Sequence, residues 1–319
     1  MYRLPKPTTV LAALAAGTLL MSGCSSESPV ESAENGGEVE TIGLMVQDLS
    51  NPFFTAMQAG VENAAEDMGA EVVTEDGRQD LGAQNEQIDA FIQQQIDVLL
   101  INPVDSEGIG PAVQRAVDAG ITVVAVDVTA KNAEAFITSD NVQAGRLACE
   151  HLFESIGGEG SILIIDGTPI SSIQDRVTGC EKVMEDYPDI TVAGHQHGDN
   201  NREEALTVAT DMLTANSDVD GIFAVNDPTA LGAGLAAEQT GVEDLAIVGV
   251  DGSPAAEEEL ADSGSMFEAT AAQDPKQLGV EGLNMATKLY KGEEVENTEQ
   301  LVDTELITAD NLDEYEGWE

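Results

Sequence analysis

Short runs of apolar, mostly β-branched residues recur along the chain, and stretches with helical periodicity separate them. Such runs are typical of strands in a sheet that helices cover on both faces. The runs comprise residues 42–46, 98–101, 121–126, 162–165, 222–225 and 246–250. After the first run, Phe54, Met57, Val61, Ala64 and Met68 follow the 3.6-residue period of a helix. The alternation predicts an α/β fold with parallel sheets and right-handed crossovers.

Polar residues follow these strands where the strands end. In open α/β sheets, ligands bind beyond the carboxyl ends of parallel strands. The residues at equivalent strand ends are Asn102, Asp127, Asn226 and Asp251. Helix capping is the alternative for a single position, since Asp227 before Pro228 and Ser253 before Pro254 fit an N-cap and a first helical residue. Capping does not require polar residues at every strand end, so the set predicts a ligand site.

The beginning of the sequence has the pattern of a bacterial lipoprotein signal. Two basic residues precede the apolar run 10–21, which is too short to span a bilayer. The tetrapeptide Met-Ser-Gly-Cys that ends at Cys24 resembles a lipobox, in which the cysteine is lipidated. We predict a signal peptide over residues 1–23, lipidation of Cys24, and an extracytoplasmic protein anchored to the cell membrane. An ordinary secretory signal with an incidental cysteine is the alternative.

Residues 24–40 are rich in Ser, Glu and Gly and predict a flexible acidic tether. The whole chain carries 60 Asp and Glu against 12 Lys and Arg, a formal charge of −48. Such a charge argues against nucleic-acid partners and against electrostatic docking on anionic lipid, so membrane contact is expected through the lipid anchor only. The hydrophobic content of 42% is too high for a disordered chain. A salty habitat and an acidic secreted protein at ordinary salt are both open explanations of the charge.

Several motifs in a fixed order resemble one family. They are Asn51-Pro52-Phe53-Phe54, Asn102-Pro103-Val104-Asp105-Ser106, Ser139-Asp140-Asn141, Asn226-Asp227-Pro228 and Val250-Asp251-Gly252. Their order and spacing are similar to those of the ribose-binding protein family of periplasmic, type I sugar-binding proteins that serve ABC transporters. The resemblance implies two similar doubly wound parallel-sheet lobes, joined by a three-stranded hinge, with the ligand in the cleft. It places residues 41–139 plus 274–303 in the first lobe and 140–273 plus 304–319 in the second.

The resemblance also implies the ligand contacts. They are Asn51, Phe53, Phe54, Asn102 and Asp127 from the first lobe, Arg176, Asn200, Asn226 and Asp251 from the second, and Gln273 near the hinge. Carboxylates accept hydroxyl protons, arginine and asparagine donate to oxygens, and an aromatic face covers C–H groups. By analogy Phe53 and Phe54 are sugar contacts, although the helical spacing favours Phe54 as partly core.

Two positions depart from the ribose-binding pattern, with Val128 in place of a second arginine and Asn200 in place of an aromatic wall. The expected ligand is therefore a monosaccharide or polyol, not ribose in particular. We expect a monomer without cofactor or metal, although His195 and His197 with Asp199 are a weaker metal candidate. The expected partner is an ABC transporter permease. An enzyme or a sensory receptor module on the same fold remains the alternative.

Cys149 and Cys180 remain as an even pair once Cys24 is lipidated. Both lie on predicted helices of the second lobe. In an oxidising compartment such a pair predicts a disulfide, and two buried free thiols are the alternative.

Overall fold

The computed structural model describes residues 37–318. The predicted signal peptide, Cys24 and most of the predicted tether lie outside the described residues. At the end of that tether the structure corrects the prediction, because Val39 is only 4% exposed and packs in the first hydrophobic core. The backbone N–H of Glu40 donates to Asp97 at 2.7 Å. The folded body therefore begins before residue 41.

The first lobe is built on one parallel sheet. Its strands are β1 Thr41–Val46, β2 Glu71–Asp76, β3 Val98–Ile101, β4 Thr122–Val126, β5 Ala135–Ser139 and β11 Glu299–Val302. They are arranged in the order β11-β5-β4-β3-β1-β2. The helices are α1 Pro52–Met68, α2 Leu81–Gln94, α3 Gly110–Asp118 and α9 Pro275–Tyr290. Helices α1 and α9 bury Met57 and Leu283 on one face, while α2 and α3 bury Phe91 and Val113 on the other.

The second lobe repeats this plan. Its strands are β6 Glu159–Asp166, β7 Asp189–His197, β8 Gly221–Ala224, β9 Ala246–Asp251, β10 Phe267–Ala272 and β12 Glu305–Thr308. Its helices are α4 Asn141–Ser155, α5 Ser171–Met184, α6 Arg202–Ala215, α7 Asp227–Thr240 and α8 Pro254–Ala261. Helices α4 and α5 cover one face of the sheet, and the other three helices cover the opposite face. The predicted fold class of two doubly wound α/β lobes is confirmed.

Within residues 37–318 the chain crosses between the lobes at three places, between β5 and α4, between β10 and α9, and between β11 and β12. The first and third crossings lie side by side, since the N–H of Asp140 donates to the carbonyl of Val302 at 2.7 Å.

One strand departs from the predicted parallel arrangement, because β12 is antiparallel to β10. Strand β10 runs towards the hinge, whereas β12 enters the sheet from the hinge and runs away from it.

Helices α4 and α5 approach each other closely because glycines lie at their contact. A Cβ atom on Gly145 would overlap the carbonyl oxygen of Arg176, and one on Gly179 would overlap that of Val142. Cys149 of α4 and Cys180 of α5 are joined by a disulfide, with their Cα atoms 5.2 Å apart. The two helices therefore form a tightly fixed pair.

No helix within residues 37–318 combines the length and the apolar character that crossing a bilayer would require.

We expect the cysteine pair to be oxidised in the isolated protein. In a Cys24→Ser variant that is unfolded without reductant, no thiol should react, and two should react after reduction. Closing a loop of this sequence separation contributes about 3–4 kcal/mol in the chain-entropy model, so reduction should lower the free energy of unfolding by that order. Two reactive thiols in the unreduced sample would contradict the bridge.

Candidate ligand-binding site

A cavity lies between the lobes at the carboxyl ends of their parallel strands, as expected for this topology. It encloses about 370 Å³ of empty space, part of it open to solvent. The residues that line it come from both lobes and from the hinge. They are Gln47, Asn51, Phe53, Phe54, Gln79, Asp127, Ile170, Ser172, Ile173, Arg176, Asn200, Asn226, Asp251 and Gln273.

All the predicted contacts line this cavity except Asn102. That side chain is fully buried behind Asp127, and its Nδ2 donates to Asp127 Oδ2 at 2.9 Å and to the carbonyl of Val126 at 2.9 Å. Asn102 is therefore placed to orient the carboxylate and does not face the cavity. That the lining residues contact a ligand stays a prediction.

Sequence reasoning missed Gln47, Gln79, Ile170, Ser172 and Ile173. Gln47 is the first residue after β1, so the strand-end rule could have found it. The two isoleucines lie just before and within the first turn of α5 and supply an apolar wall. No pattern in the sequence distinguishes them from ordinary core positions.

The asparagines at strand ends also begin helices. Asn51 accepts from the N–H of Phe53 at 3.0 Å, and Asn226 accepts from the N–H of Thr229 at 3.0 Å. The interpretation of Asp227 as the N-cap is wrong, because Asp227 is the first residue of α7 and Asn226 is the cap. The carboxylate of Asp227 accepts hydrogen bonds from the Thr270 hydroxyl and the Ser253 N–H instead. Capping uses the amide oxygen and leaves the amide nitrogen of each asparagine for other partners. Capping by Asn51 and Asn226 is therefore compatible with a role of the same residues in ligand binding.

Phe53 and Phe54 follow this first cap and are both nearly buried, with exposures of 3% and 5%. Their rings pack edge to face with centroids 5.4 Å apart. Both residues line the cavity and both belong to the first-lobe core. The expectation that Phe54 alone is partly a core residue is therefore not met, because both phenylalanines belong to the core and to the cavity lining.

The two aspartates that line the cavity have unusual backbones, with φ 68° at Asp127 and 137° at Asp251. Aspartate is among the non-glycine residues that adopt left-handed conformations, but the value at Asp251 is rare for any L-residue. Backbone bonds hold both residues, since the Asp127 N–H donates to Ile137 and the Asp251 carbonyl accepts from Gln273 at 2.9 Å. Both residues line the cavity in these conformations.

Arg176 is the buried cation of the site. Its Nε donates to Asn141 Oδ1 at 2.9 Å, and its Nη1 donates to the carbonyl of Val225 at 2.8 Å. The same Nη1 lies 3.4 Å from Asp251 Oδ1, which also accepts from Gln273 Nε2 at 2.8 Å. Because Asn141 begins the first helix after a hinge crossing, the guanidinium is fixed to the hinge as well as to the cleft.

Burial controls the protonation of the aspartates around Arg176. Removal from water raises the pKa of Asp127, while Arg176 and the hydrogen bond from Asn102 oppose that change. Burial also raises the pKa of Asp251 well above its ordinary value, with Arg176 opposing it and Asp227 adding to it. Hydroxyl groups that donate to these oxygens would stabilise their ionised forms.

Several buried polar atoms at the cavity lack a partner within the protein. They are Gln47 Nε2, Asp127 Oδ1, Asn200 Oδ1 and Gln273 Oε1. A buried polar atom without a hydrogen bond costs about 1–3 kcal/mol, so each unpaired atom favours a polar ligand. The set contains both a donor and acceptors, which matches a molecule with several hydroxyl groups.

Asn200 is the residue at which the resemblance to ribose-binding proteins led us to expect a departure from an aromatic wall. Its Nδ2 donates to Thr168 Oγ1 at 2.7 Å, and its carbonyl accepts from Asn226 at 3.3 Å. The side chain fits only because Gly167 has no Cβ, which would overlap Asn200 Oδ1. The wall is therefore polar and is held by the strand-end loops.

Val128 contacts the opposite lobe. It is fully buried and packs within the second-lobe core that includes Ile170 and Ile173. Next to it the N–H of Thr129 donates to Ser171 Oγ at 2.8 Å. The lobes therefore meet at the cavity mouth as well as at the hinge, in a closed arrangement.

His195 and His197 lie at the end of β7 and pair with Asp166, not with Asp199. His195 Nε2 is 2.7 Å from one carboxylate oxygen, and His197 Nδ1 is 2.5 Å from the other. Neither histidine lines the cavity. Across residues 37–318, no cluster of His, Cys, Asp and Glu side chains is arranged to hold a metal ion.

Comparison with known proteins identifies the class. The sequence matches the periplasmic binding protein domain over residues 42–294, and the chain belongs to that family. Its two-lobe fold and the relatives below make it a ribose-binding-like, type I periplasmic binding protein.

The relatives cover nearly the whole chain. The ribose import binding protein of Bacillus subtilis is 33% identical over 285 residues, which are 88% of this chain and 92% of that protein. The xylitol-binding protein of Mycolicibacterium smegmatis is 30% identical over 96% of this chain and 87% of its own length. A solved ABC transporter solute-binding protein from Mycobacterium smegmatis with bound glycerol is 31% identical, with a TM-score of 0.82, over 87% of this chain and 96% of that one. Such relatives are sugar- or polyol-binding transport proteins and not enzymes.

The buried Asp227 predicts a pH effect on stability. Burial raises its pKa to about 6, above the value of about 3.9 in an unfolded chain. Between these values the folded protein retains a proton that the unfolded chain releases, so this residue's contribution to stability is lost as the pH rises from about 4 to about 6. Asp227→Asn removes this titration. The free energy of unfolding of the parent relative to the variant should therefore fall across this range, as measured by denaturant unfolding of the ligand-free protein.

The exposed residue Asp211 provides the control, as Asp211→Asn. A parent-to-Asp227→Asn difference that stays constant from about pH 4 to about pH 8 would contradict the assignment.

Proposed function

We propose that this protein is an extracytoplasmic, lipid-anchored solute-binding protein. It captures a monosaccharide or polyol by hinge closure and delivers it to the permease of an ABC transporter. The observation that carries the proposal is the cavity between the lobes, whose buried aspartates and arginine lie beside unpaired polar atoms and two aromatic rings.

The chemistry of the cavity supports a polyhydroxylated ligand. Asp127 Oδ1 and Gln273 Oε1 are free to accept hydroxyl protons, and Gln47 Nε2 is free to donate to a hydroxyl oxygen. Phe53 and Phe54 offer apolar surfaces to C–H groups. A sugar or polyol presents both kinds of group in a small volume.

The distribution of these residues supports capture by closure. A ligand that bonds Asp127 in one lobe and Asp251 in the other has contacts that exist together only in the closed form. Differential affinity of this kind shifts the equilibrium from open to closed. Connection of the lobes through three hinge crossings is compatible with such a motion without unfolding of either lobe.

The lining narrows the ligand class without selecting one sugar. Val128 removes one cation relative to the ribose-binding pattern, and Asn200 replaces an apolar wall with an amide. Pentoses, hexoses and linear or cyclic polyols all fit the remaining polar set. A thermal-shift screen over these classes is the first experiment, since a ligand that binds only the folded state raises its apparent stability.

Replacing a charged cavity residue should weaken binding of the compound found by that screen. Loss of a charge-assisted hydrogen bond costs about 1.5–3 kcal/mol, or roughly tenfold to a hundredfold in affinity. We expect losses of this size for Asp127→Ala, Arg176→Ala and Asp251→Ala in calorimetric titrations.

Controls for these variants are His195→Ala and His197→Ala, which remove partners of Asp166 that do not line the cavity. Far-ultraviolet circular dichroism would verify that each variant is folded. Parent-like affinity in all three cavity variants would refute the site, and a parent that binds no sugar or polyol would refute the function.

Membrane attachment depends on Cys24, because a thioether-linked lipid is the proposed anchor. Expression of Cys24→Ser in a bacterial host should move the protein from the membrane fraction to the soluble fraction, while Ser26→Ala should leave it in the membrane. Retention of Cys24→Ser in the membrane fraction would contradict the anchor.

A further inference from the structure

Trp318, the last described residue, lies between the cavity wall and the backbone behind it. Its indole ring packs edge to face against Phe53, with ring centroids 5.6 Å apart. Its Nε1 donates to the carbonyl of Gln273 at 3.0 Å and to that of Asp251 at 3.2 Å. The residue is 7% exposed. One side chain therefore contacts three residues that line the cavity.

This position corrects the predicted lobe boundary. Residues 304–319 were expected in the second lobe, and β12 does lie in that lobe's sheet. The ring of Trp318 instead packs in the first-lobe core. The chain after the 3-10 helix Leu312–Glu314 therefore reaches back to the hinge and makes a contact between lobes that the crossings do not supply.

The backbone that Trp318 contacts needs support. Asp251 has φ 137° and is followed by Gly252 at 73°. Because an L-residue rarely adopts the first value, surrounding bonds must hold it. The hydroxyl of Tyr315 donates to the Gly252 carbonyl at 2.8 Å, next to the bond from Trp318 to the Asp251 carbonyl. Residues 315–318 thus supply two of the donors that fix this turn.

The same contacts depend on closure. Phe53 moves with the first lobe, whereas Asp251 moves with the second. Opening the cleft must lengthen at least one of the two contacts that Trp318 makes with them. The indole is therefore sensitive both to the geometry of Asp251 and to the separation of the lobes.

We infer that Trp318 is a positioning residue of the ligand site, which holds Asp251 and Gln273 in binding geometry and couples them to Phe53 in the closed form. The inference rests on the proposed function, because it concerns the affinity of the same cavity. No contact between the indole and a ligand is required.

The test compares Trp318→Ala and Trp318→Phe with the parent in the full chain. Titration with D-ribose and xylitol should show a loss of about tenfold or more for the alanine variant. The loss should be about fivefold for the phenylalanine variant, which keeps a ring and loses the N–H donor. Because the chain has one tryptophan, the parent's tryptophan emission should change over the same concentration range as the calorimetric signal.

A second measurement needs no ligand. Amide hydrogen exchange at Gln273 and Gly252 should be faster in both variants, because their N–H bonds depend on the turn that Trp318 holds. Tyr187→Ala is the matched control, since it removes an edge-to-face pair with Phe153 (centroids 5.4 Å apart) away from the cavity. It should lower stability without changing affinity or exchange at the hinge.

The outcomes separate the two proposals. A parent that binds neither compound, nor any in the wider screen, counts against the proposed function, and the exchange data still decide the positioning role. Unchanged exchange in Trp318→Ala overturns the inference. Faster exchange with unchanged affinity also overturns it, because the turn would then be irrelevant to binding.

Discussion

The ion cluster around Arg176 is the interaction on which the site depends. A guanidinium that is nearly inaccessible to water must be paired, and here its partners are Asn141, the Val225 carbonyl and Asp251. These partners come from a hinge crossing and from two strand ends. The same charge opposes the raised pKa values that burial imposes on Asp127 and Asp251. Hinge, strand ends and cleft are therefore linked electrostatically through one side chain.

Apolar contacts complement this cluster at the edges of the cleft. Val128 packs into the second-lobe core at the mouth, and Trp318 packs against Phe53 near the hinge. Inside the cavity several polar atoms lack a hydrogen-bond partner, whereas the apolar side chains at its edges are packed against other apolar groups. The rim is thus held by apolar contacts, whereas the interior of the cavity offers hydrogen-bonding groups to a polar ligand.

The periodicity of the sequence was sufficient to predict the sheets, and the strand-end rule found Asp127, Asn226 and Asp251. The rule locates a residue along a strand but does not give the direction of its side chain. It therefore could not predict that Asn102 lies behind Asp127 and outside the cavity lining. It also applied to Gln47, which was overlooked. The left-handed backbones of the aspartates and the return of Trp318 depend on contacts distant in sequence. Local pattern carries no information about such contacts.

The close packing of α4 on α5 limits which residues near the pocket can be substituted. Gly145 and Gly179 bring the two backbones into contact, and the bridge between Cys149 and Cys180 fastens the same pair. Any side chain at either glycine would displace the helix that carries Arg176. Evolution of a new specificity is therefore restricted on this side of the cleft. Substitutions that leave this helix pair undisturbed are available in the facing lobe, where Gln79 lines the cavity and is exposed.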